Sequence, residues 1–136
     1  MTRLFVDTAG WMAMADAKDP VHRASITFRD QALEHNSVLV TSNYIVDETL
    51  TLLRMRLGID AAEQWWGQVA ESPRCRMEWI TPEQCQKALH LFFRWRDQQF
   101  SFTDCTSFVL MRELKIESVL TSDHHFVIAG FHKFPE

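Results

Sequence analysis

The chain has 136 residues, of which 46% are hydrophobic and 24% charged, and its formal net charge is −4. This length suits one domain with a core of its own. No apolar run approaches the ~20 residues of a membrane helix, which argues against a membrane protein. The early acids Asp7 and Asp16 argue against a signal peptide. The negative charge argues against a nucleic-acid binder judged on total charge, although setting four acids aside leaves 14 acidic against 14 basic residues.

The three cysteines, Cys75, Cys85 and Cys105, are odd in number and include no CxxC pair. They therefore predict neither a disulfide framework nor a zinc site. Buried, reduced thiols are typical of cytoplasmic proteins, and we expect that location. Cys105 follows a predicted helix start, where a thiol pKa is often lowered, but no neighbouring histidine is indicated that would make it a nucleophile.

Short apolar runs alternate with amphipathic segments along the chain. The runs at 4–6, 38–41 and 118–120 predict buried strands, the weakly alternating segment 75–80 predicts a further strand, and 131–134 predicts an edge strand. Caps, prolines and glycines predict helices over 10–15, 20–34, 43–57, 59–72, 82–97 and 102–114, with a short helix or turn starting at 124. Asp19 and Asp60 are interpreted as helix caps.

This order of elements, β-α-α-β-α-α-β-α-α-β with a final strand, predicts an α/β fold. We expect a three-layer sandwich in which a central, mostly parallel sheet is flanked by helices. No internal repeat or linker interrupts the pattern, so residues 1–136 are predicted to form a single domain. Trp65 and Trp66 are adjacent on one helix and cannot both face the same core. The inner stripe of helix 82–97 is predicted to be Cys85, Ala88, Leu89, Phe92 and Phe93.

Four acidic residues occupy positions that parallel α/β sheets use for ligands. Asp7 and Asp123 each end an apolar strand, at the carboxyl edge of the predicted sheet. Glu48 lies at the edge of the apolar face of its helix, whereas its neighbour Asp47 lies on the polar side. Asp104 occupies the first turn of a largely apolar helix, where the helix dipole favours negative charge.

Carboxylates that meet at one edge repel each other and raise each other's pKa values unless cations bind. Oxygen ligands suit Mg²⁺ or Mn²⁺. Two such ions would activate water and stabilise the leaving oxygen of a phosphodiester. The sequence therefore predicts that Asp7, Glu48, Asp104 and Asp123 form a catalytic metal site, although an acid after a strand is also a common cap or turn residue.

Several other residues have both a structural and a functional interpretation. Thr8, Asn43 and Ser122 either orient a carboxylate or serve as caps and turns, and we favour the second. The pairs Arg54/Arg56, Arg74/Arg76 and Arg94/Arg96 are solvated surface in the simpler interpretation. In the functional one they contact RNA phosphates, with Trp95 stacking on a base. His124 and His125 are interpreted as the surface of a turn.

Four segments of the chain resemble the four blocks of PIN-domain ribonucleases. They are Leu4-Phe5-Val6-Asp7-Thr8, the helix that carries Glu48, Ser101-Phe102-Thr103-Asp104, and Leu120-Thr121-Ser122-Asp123-His124-His125-Phe126. Length and block order resemble the small VapC-like toxins of toxin–antitoxin pairs. Cys105 stands where that family commonly has alanine, and the two histidines replace a more usual charged pair.

The resemblance implies a PIN-like fold and a Mg²⁺- or Mn²⁺-dependent endoribonuclease. It assigns the metal to Asp7, Glu48, Asp104 and Asp123, and implies cleavage of tRNA, rRNA or mRNA to products with 5′ phosphate and 3′ hydroxyl. It further implies a homodimer and a cognate antitoxin that inhibits the enzyme.

Two other functions compete with this hypothesis. A phosphohydrolase of another class would use Asp7 as a nucleophile, but such enzymes usually carry a second acid two residues later, where this chain has Ala9. A catalytically silent interaction module would keep the PIN fold without the chemistry. The presence of all four acids favours the nuclease over the silent module.

Overall fold

The computed structural model describes residues 2–136. Within that range the chain forms five strands and seven helices. In chain order these are β1 (Arg3–Val6), α1 (Thr8–Ala15), α2 (His22–Glu34), β2 (Val38–Ser42), α3 (Asn43–Arg56), α4 (Ile59–Glu71), β3 (Cys75–Glu78), α5 (Pro82–Arg94), α6 (Phe102–Leu114), β4 (Ser118–Leu120), α7 (His125–Ile128) and β5 (His132–Phe134). None of these helices is long and apolar enough to cross a membrane.

The five strands form one sheet in the order β3-β2-β1-β4-β5, and every pairing is parallel. The predicted sheet is therefore confirmed, and it is wholly rather than mostly parallel. Phe5 and Val6 are successive residues of β1, so their side chains point to opposite faces, and both are fully buried. Helices therefore cover both faces of the sheet, as expected for a three-layer α/β sandwich.

The strand order reverses direction beside β1. From β1 the chain first builds outward through β2 and β3, and then returns to the other side of β1 to add β4 and β5. The crossovers that leave the carboxyl ends of β1 and β4 diverge at this point and open a crevice between them. In open α/β sheets such a crevice is the usual ligand site.

Most helix boundaries follow the capping signals in the sequence. The Ser42 hydroxyl accepts a hydrogen bond from Ile45 N and caps α3. Thr81 with Gln84 forms the predicted capping box of α5. Gly58 has a φ of 101° where α3 gives way to α4, which is a conformation that glycine adopts without strain.

Two predicted caps differ from the structure. Helix α2 begins at His22 rather than at residue 20, because the Asp19 carboxylate accepts a hydrogen bond from Val21 N at 2.9 Å and makes a separate turn there. Asp60 lies inside the first turn of α4, and Gly58 occupies the cap position.

The two aromatic predictions have opposite outcomes. Trp65 is buried and meets Trp11 edge to face at a centroid distance of 5.5 Å, whereas Trp66 is 38% exposed, so the expected split is confirmed. On α5 three of the five residues of the predicted inner stripe are wrong. Cys85 is half-buried and packs against the core. Ala88 is buried, but Leu89, Phe92 and Phe93 are exposed, because the helix turns Leu91 toward the core instead.

Gly10 allows α1 to approach the end of β4. A Cβ at this position would lie 2.1 Å from the carbonyl oxygen of Leu120, far inside van der Waals contact. The Asp7 N–H donates to that same carbonyl at 3.3 Å. The missing side chain therefore lets the end of β1 and the start of α1 sit directly against β4.

We predict that Gly10→Ala destabilises the protein by about 3 kcal/mol, since backbone rather than a flexible side chain blocks the new methyl group. Gly67→Ala is the matched control. Gly67 lies within α4, and nothing lies within 4 Å of the point where its added methyl group would stand, so alanine should stabilise the helix by up to about 1 kcal/mol. Urea unfolding of both variants measures the difference. Equal stabilities for the two variants would contradict the close approach.

Candidate functional site

Asp7 lies at the carboxyl end of the central strand and is only 3% exposed. It occupies the N-cap position of α1, but its side chain makes no capping hydrogen bond. Instead, its Oδ2 accepts a hydrogen bond of 3.0 Å from the hydroxyl of Thr121, the residue after β4. The carboxylate is therefore held across the crevice between β1 and β4 rather than turned toward its own helix.

Asp104 is fixed by the first turn of α6. Its N–H donates to Ser101 Oγ at 2.9 Å, and its Oδ2 accepts from Ser101 N at 3.1 Å, which completes a capping box. The same Oδ2 lies 3.0 Å from Nδ1 of His125. The second carboxylate oxygen has no partner within residues 2–136, which leaves it available to a ligand.

Asp123 follows β4 by three residues and is held by its neighbours. Its N–H donates to Thr121 Oγ1 at 2.9 Å, and its Oδ1 accepts from His125 N at 2.9 Å. Nδ1 of His125 lies 3.4 Å from that same oxygen. Thr121 thus binds Asp7 and positions Asp123, and His125 contacts both Asp104 and Asp123.

All four sequence-predicted acids line one cleft of about 380 Å³. Glu48 reaches it from α3, while the adjacent Asp47 is exposed elsewhere, as the helical pattern indicates. The tightest cluster of ligand atoms belongs to Asp104, Asp123 and His125, whose donor atoms lie within 4.8 Å of one another. Asp7 and Glu48 line the same cleft outside this cluster.

Burial and mutual repulsion dominate the electrostatics of the cleft. Burial, and next the negative charge of Asp104, raises the pKa of Asp7 to about 7, although hydrogen bonds from Thr8 N and the Thr121 hydroxyl oppose the shift. Burial and the charge of Asp123 also raise the pKa of Asp104, against hydrogen bonds from Ser101 and His125. Near neutral pH, full ionisation of both Asp7 and Asp104 therefore needs a compensating positive charge nearby.

The structure adds three residues that the sequence interpretation missed. The sequence interpretation names Thr121 only as part of a motif. Its role depends on the hydrogen bond to Asp7, which lies 114 positions away along the chain. His125 is predicted at the surface of a turn, although its place two residues after Asp123 indicates that it lies beside that acid. Asp19, interpreted as a helix cap, lines the cleft as a fifth acid.

The other candidate residues divide clearly. Asn43 has a structural role, because its Oδ1 accepts from Ile80 N at 2.7 Å. Thr8 and Ser122 line the cleft. Burial raises the pKa of the Cys105 thiol to about 11, opposite to the direction that its helix position suggested. Trp95 packs against Phe100 at a centroid distance of 5.1 Å, which disfavours its use as a stacking platform.

The arginines of the three basic pairs also differ in their surroundings. Arg74 donates to the backbone oxygens of Leu33 and Ser37 and is a structural residue. Arg76 pairs with Glu78 at 2.8 Å. Arg94 is exposed in the last turn of α5, and Arg96 is exposed just beyond that helix. Arg56, in contrast, lines the acidic cleft.

Comparison with known proteins agrees with this geometry. The family model of the PIN domain matches residues 4–131. The chain belongs to the PIN-domain family. PIN-domain nucleases generally depend on divalent metals, and the oxygen-rich donor set of the cleft fits such ions.

Two curated PIN-domain relatives are similar over most of their lengths. The 23S rRNA-specific endonuclease VapC20 of Mycobacterium tuberculosis is 34% identical over 128 residues, which cover 94% of this chain and 95% of that protein. The VapC ribonuclease of Archaeoglobus fulgidus is 31% identical over 116 residues, covering 84% of this chain and 73% of the relative. Both carry names of RNA-cleaving enzymes.

A solved PIN-domain structure is also similar. The crystal structure of M. tuberculosis VapC20, described as a Sarcin-Ricin loop cleaving toxin, superposes with a TM-score of 0.83 at 32% identity. The match covers 94% of this chain and 95% of that one. The α/β fold predicted from the sequence is therefore confirmed by an independent structure.

The raised pKa of Asp7 predicts how the metal-free protein responds to pH. Between the unfolded value near 3.8 and the folded value of about 7, the folded state binds more protons. Stability should therefore fall as pH rises through this window, by roughly 4 kcal/mol for Asp7 alone, and level off above it. Urea unfolding in EDTA from pH 4 to pH 8 measures the trend.

Asp7→Asn should remove most of that dependence and be more stable than the unmodified chain at pH 7 in EDTA. Asp47→Asn, an exposed change on α3, is the matched control and should leave the profile unchanged. A profile that is flat or rising between pH 5 and pH 7 in the unmodified protein would show that Asp7 is not destabilised by its charge.

Proposed function

We propose that this protein is a Mg²⁺- or Mn²⁺-dependent endoribonuclease and the toxin of a toxin–antitoxin pair. The observation that carries the proposal is the meeting of Asp7, Glu48, Asp104 and Asp123 around one cleft at the carboxyl edge of the sheet. The names of the relatives, which include an endonuclease and a ribonuclease, support the activity. We assign the metal-binding role to these four acids.

In the proposed reaction, the oxygen of a water molecule bonds to phosphorus as the bond from phosphorus to the 3′ oxygen breaks. The attacking water gives up a proton and the leaving 3′ oxygen takes one from solvent, which yields a 5′ phosphate and a 3′ hydroxyl. Bound Mg²⁺ or Mn²⁺ supplies a Lewis acid that lowers the pKa of water and stabilises negative charge on phosphate oxygens. Asp123 is the proposed proton acceptor, because its side chain is 30% exposed and it faces the cleft. Thr121 and His125 hold the carboxylates in place, which limits reorganisation during the reaction.

The substrate class follows from the relatives as a proposal. VapC20 is named as specific for 23S rRNA, and its structure is described as cleaving the Sarcin-Ricin loop. We propose ribosomal RNA, and a hairpin of that loop in particular, as the first substrate to test. Transfer RNA and messenger RNA are the alternatives, since recognition of looped RNA depends on surface shape and stacking.

We propose that residues 1–136 act as a single domain in the cytoplasm and that a cognate antitoxin inhibits the enzyme. A short neighbouring gene that encodes a DNA-binding protein would support the antitoxin. The two competing functions make different predictions for the purified chain. An aspartyl phosphohydrolase would form a covalent phosphate on Asp7, and a silent module would not bind Mn²⁺.

We further propose that the protein is a homodimer. Four aromatic side chains from three helices form a chain of contacts that runs from the half-buried Tyr44 and Phe102 to the exposed Phe92 and Phe93, with centroid distances between 5.4 and 6.2 Å. Phe93 is 59% exposed. A contiguous apolar patch of this kind typically marks a protein interface.

We predict that Asp7→Asn and Asp104→Asn each reduce RNA cleavage by more than about 100-fold, because a lost metal ligand costs at least as much as a lost supporting contact. Cleavage of an end-labelled Sarcin-Ricin hairpin with Mn²⁺ is the measurement, and calorimetry of Mn²⁺ binding is the parallel readout. Both variants should bind Mn²⁺ more weakly.

Asp47→Asn is the control for these variants and should retain full activity and Mn²⁺ affinity. The nuclease proposal would be wrong if the antitoxin-free protein left ribosomal, transfer and messenger RNA intact with both metals. Equal activity of Asp7→Asn and the unmodified protein would instead indicate a contaminating nuclease.

The homodimer is tested by Phe93→Glu, which places a charge in the aromatic patch. Sedimentation velocity should show a dimer for the unmodified protein and a monomer for this variant, since an interface core rarely tolerates an unpaired charge. Ile59→Glu is the matched control, because Ile59 is 57% exposed at the start of α4, a helix that packs on α3 rather than on α5. A monomeric unmodified protein would contradict the proposal.

A further inference from the structure

The cleft contains one arginine among its acids. Five carboxylates line it, those of Asp7, Asp19, Glu48, Asp104 and Asp123. Among residues 2–136, Arg56 is the single lysine or arginine in the lining. The carboxylates of such a cleft strongly repel the phosphates of an RNA strand. Cations bound by the acids reduce this repulsion only for the phosphates next to them. Phosphates farther along the strand need another positive partner.

Arg56 lies on the same helical row as one of the acids. Glu48, Leu52 and Arg56 are four residues apart along α3, so they share one face, and all three line the cleft. Eight residues of helix rise about 12 Å. Arg56 therefore lies about two helical turns along the cleft from Glu48. At that distance it would contact a phosphate that flanks the cleaved bond rather than the cleaved bond itself.

The guanidinium of Arg56 is not engaged within the protein. In the part of the chain that the structure describes, no carboxylate lies within 4.0 Å of its nitrogen atoms, and its side chain makes no hydrogen bond. By contrast, Arg29 pairs with Asp30, and Arg74 donates to backbone oxygens. Arg56 thus keeps its planar set of donors free in a cleft proposed to hold RNA.

A simpler explanation is that a basic residue in the last turn complements the dipole of α3. That explanation applies equally to Arg54, which lies in the same turn and is also exposed. Arg54 is not part of the cleft lining, because a separation of two residues turns it to the other side of the helix. Arg54 and Arg56 therefore share any interaction with the helix dipole, whereas only Arg56 can act in the cleft. A comparison of variants at the two positions distinguishes these roles.

We propose that Arg56 binds a backbone phosphate of the RNA substrate beside the cleavage site and thereby fixes the register of the strand in the cleft. A guanidinium suits this role because two of its N–H groups can donate to two phosphate oxygens at once. The proposal rests on the proposed ribonuclease function and adds a substrate-binding residue to it. Arg56 makes no contact with the metal-binding acids in this role, so it acts on binding rather than on the chemical step.

The test compares Arg56→Ala, Arg56→Lys and Arg54→Ala in cleavage of the labelled hairpin with Mn²⁺. Arg56→Ala should raise KM about tenfold with kcat changed less than about twofold, which is the scale of one lost charged hydrogen bond. Arg56→Lys should recover part of the loss, since lysine keeps the charge without the paired donors. Arg54→Ala should match the unmodified protein, and Mn²⁺ affinity should be unchanged in all three.

Binding is measured separately in the inactive Asp104→Asn background, by fluorescence anisotropy of the same RNA over a series of salt concentrations. Adding Arg56→Ala should weaken binding and reduce the slope of log affinity against log salt by about 0.7, the contribution of one phosphate on a single strand. Adding Arg54→Ala should change neither quantity.

The outcomes separate the two proposals. If the unmodified protein cleaves RNA and Arg56→Ala is indistinguishable from Arg54→Ala in KM and in salt dependence, the role of Arg56 is overturned and the nuclease stands. A loss confined to kcat would also overturn it, because the residue would then act on the chemical step. If the unmodified protein neither binds nor cleaves RNA, both proposals fail.

Discussion

The burial of a carboxylate at the end of the central strand is the constraint on which the site depends. Asp7 is almost fully enclosed, and burial together with the nearby charge of Asp104 raises its pKa to about 7. A protein gains nothing in stability from this arrangement, because the ionised form is disfavoured in the folded state. Such a cost is typical of functional sites, where strain or repulsion is retained because a ligand relieves it.

The fold brings this carboxylate to its partners through a few local features. The strand order places β1 beside β4, so residues separated by more than a hundred positions meet at one crevice. Gly10 removes the side chain that would keep α1 away from Leu120. Asp104 Oδ2 accepts the hydrogen bond from Ser101 N in the capping box of α6, and the same oxygen contacts Nδ1 of His125. Stability at the helix start and geometry at the site therefore depend on the same side chain.

Much of this architecture could be predicted from the sequence. Apolar runs that end in Asp7 and near Asp123 indicated parallel strands with acids at one edge, and the helical pattern distinguished Glu48 from Asp47. Individual side-chain contacts between distant segments could not be predicted. Thr121 bridges two strands, and His125 lies between two acids; neither arrangement follows from local propensity. The helical pattern placed Phe92 and Phe93 in the core, whereas both are exposed, because exposed apolar residues on a helix can have the same periodicity as residues in a core.

The central claim is that Asp7, Glu48, Asp104 and Asp123 hold a divalent cation in one cleft. The most direct measurement is a crystal structure of the protein grown with Mn²⁺, with data collected to record the anomalous scattering of manganese. We predict an anomalous peak inside the cleft, with oxygen atoms of these acids as its ligands. A peak elsewhere on the molecule, or a cleft without one at millimolar Mn²⁺, would contradict the account.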